Sequence, residues 1–272
     1  MSNLIEASEL RKLLTIESPT VLDCRYDLAD RESGRRRYLT GHIPGAHYVS
    51  LDKDCCAMVG VHGGRHPLPT IEALSALFGK LGVERMVTPV VCLDDDGGCF
   101  AAHVWWILRY LGHDNVKVLN GGFSAWVGID GEVTTQLPET RSVRFDPRLR
   151  PDMLARMEQV RDGDAMLLVD CRAEERYRGE HETIDPVAGH IPGAINIPWR
   201  GFVTDDGRFR EVGALADSLT GIDERSIVYC GSGVTACVAV FAAAEADLGL
   251  PRLYAGGWSD WITWEGNPIA SG

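Results

Sequence analysis

The chain has 272 residues, of which 45% are hydrophobic and 24% charged, and carries a formal net charge of -12. That length fits two domains with sizeable cores, and the acidic balance speaks against a nucleic-acid partner because it repels phosphate backbones. No apolar run approaches the ~20 residues of a membrane span, and the opening "MSNLIEASEL" lacks the basic start and apolar centre of a secretion signal. In chain order, "EASELRKLL" and "TIEALSALFGKLG" carry apolar residues at helical spacing, while "TVLDC", "TPVVCL" and "KVLN" are short apolar runs of the kind found in buried parallel strands. "AAHVWWILRYLG" predicts a helix closed by a glycine. After residue 150 the alternation resumes, with strands in "AMLLVDC", "SIVYC" and "RLYA" and a helix over "ACVAVFAAAEADLG". This pattern predicts an α/β fold of mainly parallel sheets with helices on both faces.

The second half repeats the first. "DCR" stands at 23–25 and 170–172, "GHIPGA" at 41–46 and 189–194, and "NGGFSAW" at 120–126 is matched by "AGGWSDW" at 255–261. Offsets of about 135 to 150 residues are a domain length, far longer than a solenoid period. The chain therefore reads as two homologous domains, 1–137 and 151–272, joined by a polar, proline-bearing linker at 138–150.

Chemistry concentrates in "VYCGSGVTAC", residues 228–237. In parallel α/β sheets ligands bind beyond the carboxyl ends of the strands, and Cys230 stands where a strand gives way to a loop and then a helix. Gly231 and Gly233 allow positive φ and a close approach of backbone N–H groups to the sulfur. The following helix N-terminus adds partial positive charge, so the setting favours a thiolate, a persulfide or a bound anion. Ser232 and Thr235 add hydroxyls. The competing reading, a buried inert cysteine, suits Cys237 one turn into the helix. In the first half the same stretch reads "VVCLDDDGGCFAAHVWW", with Leu93 or Asp94 where Cys230 would fall, so domain 1–137 is expected to be non-catalytic and 151–272 catalytic. Cys92 and Cys99 are expected in the core. The other cysteines, at 24, 55, 56 and 171, are scattered, which fits reduced thiols in a cytoplasmic protein better than a disulfide framework. Asp23 and Asp170 end strands and are expected to hold loop N–H groups. "HGGRHP" at 62–67, with Cys55 and Cys56 nearby, matches no standard zinc spacing, and no metal or cofactor is expected.

These residues resemble the tandem-domain rhodanese family of sulfurtransferases along nearly the whole chain. The resemblance rests on the paired "DCR" and "GHIPGA" motifs, on "VWWILRYLGHDNVKVLNGGFSAW" and on "CGSGVTA". The last loop is similar to that of the mercaptopyruvate-using branch, since thiosulfate-using members tend to carry basic residues after the cysteine. The resemblance implies double displacement: the Cys230 thiolate takes sulfane sulfur from a small anionic donor, becomes a persulfide and passes the sulfur to thioredoxin, glutathione or cyanide. It implies a substrate-carboxylate role for Arg176, with Gly231, Gly233, Val234 and Thr235 lining the donor site and Ser232 and a histidine supplying protons. His42 of the first "GHIPGA" matches the histidine expected to assist, paired with Asp30 or Glu32, while its twin His190 is expected to be structural. A second arginine found in some members about nine residues after the first is here Asp185, for which Arg65 or Arg178 could substitute. Two rivals are a thiosulfate sulfurtransferase and a persulfide relay for a protein acceptor. A phosphatase is disfavoured because position 236, where an arginine would clamp phosphate, is alanine.

Overall fold

The computed structural model describes residues 2–139, 141–163, 165 and 167–272. The chain forms two compact units. Unit 1 gathers Met1–Cys56, Pro69–Arg150 and Thr204–Phe209, and unit 2 gathers Ala57–Leu68, Pro151–Val203 and Arg210–Gly272. The boundary is thus not a single cut near residue 150, because each unit includes a short segment from the other half of the chain. The stretch expected as a linker, apart from Thr140 outside the described residues, runs along unit 1. Val143 N–H donates to Gly79 O, and Arg148 and Arg150 N–H donate to Leu111 O and Tyr110 O.

In unit 1 the elements run β1 (Leu4–Ile5), α1 (Ala7–Ile16), β2 (Thr20–Asp23), α2 (Ser33–Thr40), β3 (His47–Tyr48), α3 (Leu51–Asp54), α4 (Ile71–Lys80), β4 (Val90–Leu93), α5 (Cys99–Tyr110), β5 (Val116–Leu119) and α6 (Gly122–Gly128). The sheet order is β1-β5-β4-β2-β3, with every pairing parallel. Every residue of β2 and β4 is buried, as expected of strands covered on both faces. Helix α1 starts with a capping box, in which Glu6 N–H donates to the Glu9 carboxylate. Helix α4 starts on Thr70, whose hydroxyl accepts from Ala73 N–H.

In unit 2 they run α7 (Met157–Arg161), β6 (Leu168–Asp170), α8 (Glu174–Tyr177), β7 (Ile195–Asn196), α9 (Val212–Ser218), β8 (Ile227–Tyr229), α10 (Ala236–Glu245), β9 (Arg252–Leu253) and α11 (Gly257–Trp261). The sheet order is β7-β6-β8-β9, again all parallel. Met166, within the strand predicted over "AMLLVDC", lies outside the described residues. Helix α10 is apolar all round and buried from Ala236 to Ala243, the signature of an interior helix. The expected two-domain α/β architecture is therefore observed. No helix among the described residues is long and apolar enough to cross a membrane.

The repeated motifs have one shared job. Asp23 accepts from the N–H and guanidinium of Arg25, and Arg25 Nη2 donates to Gly41 O at 2.8 Å. Asp170 and Arg172 repeat this, with Arg172 Nη2 on Gly189 O at 2.6 Å. Each "DCR" thus ties its strand end to the glycine of "GHIPGA". Buried pairs of this kind persist because each charge is fully hydrogen-bonded.

Candidate active site

Strand β8 delivers Cys230 to the carboxyl end of the unit 2 sheet, where it is only 2% exposed. Its carbonyl accepts from Trp258 N–H at 2.8 Å, and Gly231 O accepts from Ser259 N–H at 2.8 Å. The loop after "RLYA" thereby braces the cysteine loop. Close packing explains two glycines. A Cβ on Gly257, at φ +59°, would lie 2.6 Å from Cys230 O, and one on Gly233, at φ +78°, 2.1 Å from Ala255 O. Gly231 does not use positive φ, contrary to expectation. Its missing side chain instead leaves room for guanidinium groups, for a Cβ there would meet Arg65 Nη2 at 2.8 Å and Arg176 Nη2 and Nη1 at 3.4 and 3.5 Å.

Unit 1 shows what such a loop binds. The registers Asp23↔Leu93 and Asp170↔Tyr229 put Asp94 in the place of Cys230. The Asp94 carboxylate accepts four backbone N–H bonds, from Asp96 and Gly98 at 2.9 Å, Phe100 at 2.8 Å and Ala101 at 2.9 Å. Burial pushes its pKa up to about 6 against the pull of those bonds. In unit 2 the corresponding N–H groups belong to Ser232, Val234, Ala236 and Cys237. Those of Ser232, Val234 and Ala236 donate to no described protein acceptor, so the loop that holds a built-in anion in unit 1 carries a cysteine at the anion's position in unit 2. Val234 is buried and Thr235, at the N-cap of α10, half-buried. Cys237 is buried with its Sγ 3.3 Å from Gly233 O, in the core position expected.

The segment 57–68 supplies two more side chains. His66 Nδ1 lies 2.7 Å from Ser232 Oγ, both groups being buried. Arg65 and Arg176 share the Asp185 carboxylate: Arg65 Nη1 donates to Oδ1, and Arg176 Nη2 donates to Oδ2 at 3.0 Å. Arg176 Nε donates to Glu182 at 2.9 Å. Burial would raise the Glu182 pKa, but the Arg176 guanidinium and the N–H groups of Asp185 and Ile184 outweigh it and hold the carboxyl below its usual range. The segment is fixed by Gly63 N–H on Asp260 at 2.7 Å, Arg65 N–H on Ser259 Oγ at 3.1 Å, and His62 stacked 3.6 Å from the Trp264 ring. Arg178 instead pairs with Glu174 and Glu180.

His42, expected to assist the cysteine, has a setting within unit 1 that engages both of its ring nitrogens. It is fully buried in unit 1, stacked on Tyr38, with Nδ1 2.7 Å from Tyr38 O and Nε2 3.1 Å from Gln136 O. Its twin His190 stacks on Tyr177 with Nδ1 2.8 Å from Tyr177 O. Both histidines brace a turn. Asp30 and Glu32 pair with Arg36 and Lys53 and not with His42. The histidine beside the cysteine loop is His66, which sequence reading passed over because "HGGRHP" has neither helical nor strand periodicity. The doubled glycine before adjacent basic and imidazole side chains was the available signal.

An α/β sheet whose strand-to-helix loop occurs twice, holding a carboxylate at Asp94 in unit 1 and carrying Cys230 in unit 2, is a frame for thiol-based transfer. The rhodanese-like domain family model matches residues 6–128 and 153–263, and the chain belongs to the rhodanese-like family. It is 40% identical over 283 residues to a Pseudomonas aeruginosa protein named "Probable 3-mercaptopyruvate sulfurtransferase", covering 100% of this chain and 99% of the relative. It is 32% identical over 253 residues to the thiosulfate sulfurtransferase of Rattus norvegicus, covering 89% and 84%. The solved 3-mercaptopyruvate sulfurtransferase from Leishmania major superposes with a TM-score of 0.88 at 26% identity, over 98% of this chain and 76% of that one.

Proposed function

We propose that unit 2 is the catalytic unit of a sulfurtransferase that moves sulfane sulfur from 3-mercaptopyruvate through a Cys230 persulfide to a thiol or cyanide. The Cys230 thiolate attacks the donor sulfur, the carbon–sulfur bond breaks, and the electron pair leaves on the enolate of pyruvate. Ser232, hydrogen-bonded to His66, delivers the proton that the enolate carbon needs. The persulfide's charge rests in the N–H cradle of Ser232, Val234 and Ala236, as the Asp94 carboxylate does in unit 1. An acceptor thiol then removes the outer sulfur. Thioredoxin and glutathione suit that step, as thiols that a reducing cytoplasm would supply.

The observation that favours mercaptopyruvate is the arginine pair. Arg65 and Arg176 face the loop at Gly231, yet each is already matched to Asp185, and Arg176 also to Glu182. Two guanidinium groups balanced by two carboxylates leave N–H donors without a large positive excess. Such a site suits one carboxylate better than the dianion thiosulfate. The test is kcat/KM for the two donors side by side, with cyanide as acceptor. Mercaptopyruvate should lead by at least about tenfold, roughly 1.4 kcal/mol of transition-state preference. A lead for thiosulfate would overturn the donor assignment.

A further inference from the structure

Strands β6 and β8 run parallel in the register Leu168↔Ile227, Val169↔Val228 and Asp170↔Tyr229, and Cys171 N–H donates to Tyr229 O at 2.8 Å. One step further, Cys171 stands opposite Cys230. Neighbouring strands lie about 4.7–4.9 Å apart, and opposed residues of a parallel pair project to the same face. A disulfide needs Cα atoms roughly 4.4–6.8 Å apart, and the register continued one residue past the last ladder pair, by way of the Cys171 N–H bond to Tyr229 O, puts the two residues within that range. Both side chains are buried. Unit 1 offers no such pair, because the matching positions are Cys24 and Asp94.

Resting on the reading of Cys230 as the sulfur carrier, we propose that Cys171 is its resolving thiol, which discharges an uncollected persulfide as sulfide and leaves a Cys171–Cys230 disulfide. The Cys171 sulfur bonds to Cys230 Sγ and the bond from Sγ to the outer sulfur breaks. The outer sulfur departs with the electron pair and takes the Cys171 proton. The Cys171 sulfur is oxidised, the sulfane sulfur is reduced to hydrosulfide, and no external oxidant enters. A dithiol reductant restores both thiols. Burial first, and then the neighbouring Cys230, Asp170 and Cys237, raise the Cys171 pKa well above the ordinary thiol value. The attacking group is thus mostly protonated, which makes discharge slow beside transfer to an acceptor.

The experiment loads the full-length protein with 3-mercaptopyruvate, removes the donor and incubates without thiol. Sulfide release should accompany a peptide joining Cys171 to Cys230, reversed by a dithiol. In Cys171→Ala the persulfide should last at least about tenfold longer. An equal lifetime in Cys171→Ala, or a wild-type peptide joining Cys230 to Cys237, would overturn the proposal. Peptide mapping of the wild type decides the matter even where the buried substitution fails to fold. Failure of wild-type Cys230 to load any sulfur would overturn the carrier reading, and this inference with it.

Discussion

Cys230 and Cys237 are both buried thiols seven positions apart, and burial alone does not tell them apart. What differs is the neighbourhood: Cys230 sits in N–H groups whose twins bind a carboxylate, whereas Cys237 packs its sulfur against a carbonyl. Cys230→Ser should therefore abolish sulfur transfer, while Cys237→Ser keeps kcat within a few-fold, read by steady-state assay with cyanide. The two histidines divide similarly. His66→Ala should lower kcat by about 10²-fold, the ordinary worth of a positioned acid or base. His42→Ala should lower Tm and leave kcat of the folded protein nearly unchanged, because its ring spans two carbonyls of unit 1. Comparable losses of kcat in both would reverse that assignment. Arg176→Ala should cost mercaptopyruvate kcat/KM about 10- to 100-fold, the range for a hydrogen bond to a charged group, and thiosulfate less.

At the scale of elements, the two strand-to-helix loops are one design with different anions. Asp94→Ala would leave four buried N–H groups unmatched and should cost unit 1 about 2 kcal/mol or more, measured as a fall in denaturant midpoint. The clamp between α8 and the loop that follows it carries the pH dependence. The folded-state pKa of Glu182 lies below its ordinary value of 4.5. Its contribution is complete above that value and is lost as pH falls through the lower, folded one. KM for mercaptopyruvate should rise steeply in that acid window, and Glu182→Gln should flatten the rise. An unchanged acid limb in Glu182→Gln would remove the clamp from the account.

At the scale of the whole molecule, the strands, the duplication and the cysteine loop were legible because each leaves a local trace: apolar runs, repeated motifs and a Gly-x-Gly after a strand. Arg176 was legible through family resemblance, and Arg65 only as a candidate, because its partner Asp185 lies 120 positions away. His66 left only the doubled glycine before it as a trace, whereas His42 drew attention because "GHIPGA" announces itself as a motif, although within unit 1 its ring braces a turn. Contacts delivered by an irregular segment of the other half of the chain leave no periodic signal. The two units were expected to divide at one linker, yet compactness follows contacts and assigns 57–68 to unit 2 and 204–209 to unit 1.

The most direct test of the account is the site of sulfur attachment. The protein is mixed briefly with 3-mercaptopyruvate in the absence of acceptor, quenched with a thiol-alkylating reagent and mapped by mass. One extra sulfur on the peptide carrying Cys230, absent from Cys230→Ser, is the predicted result. Sulfur on another cysteine, or pyruvate formed with no sulfur on the chain, would contradict it.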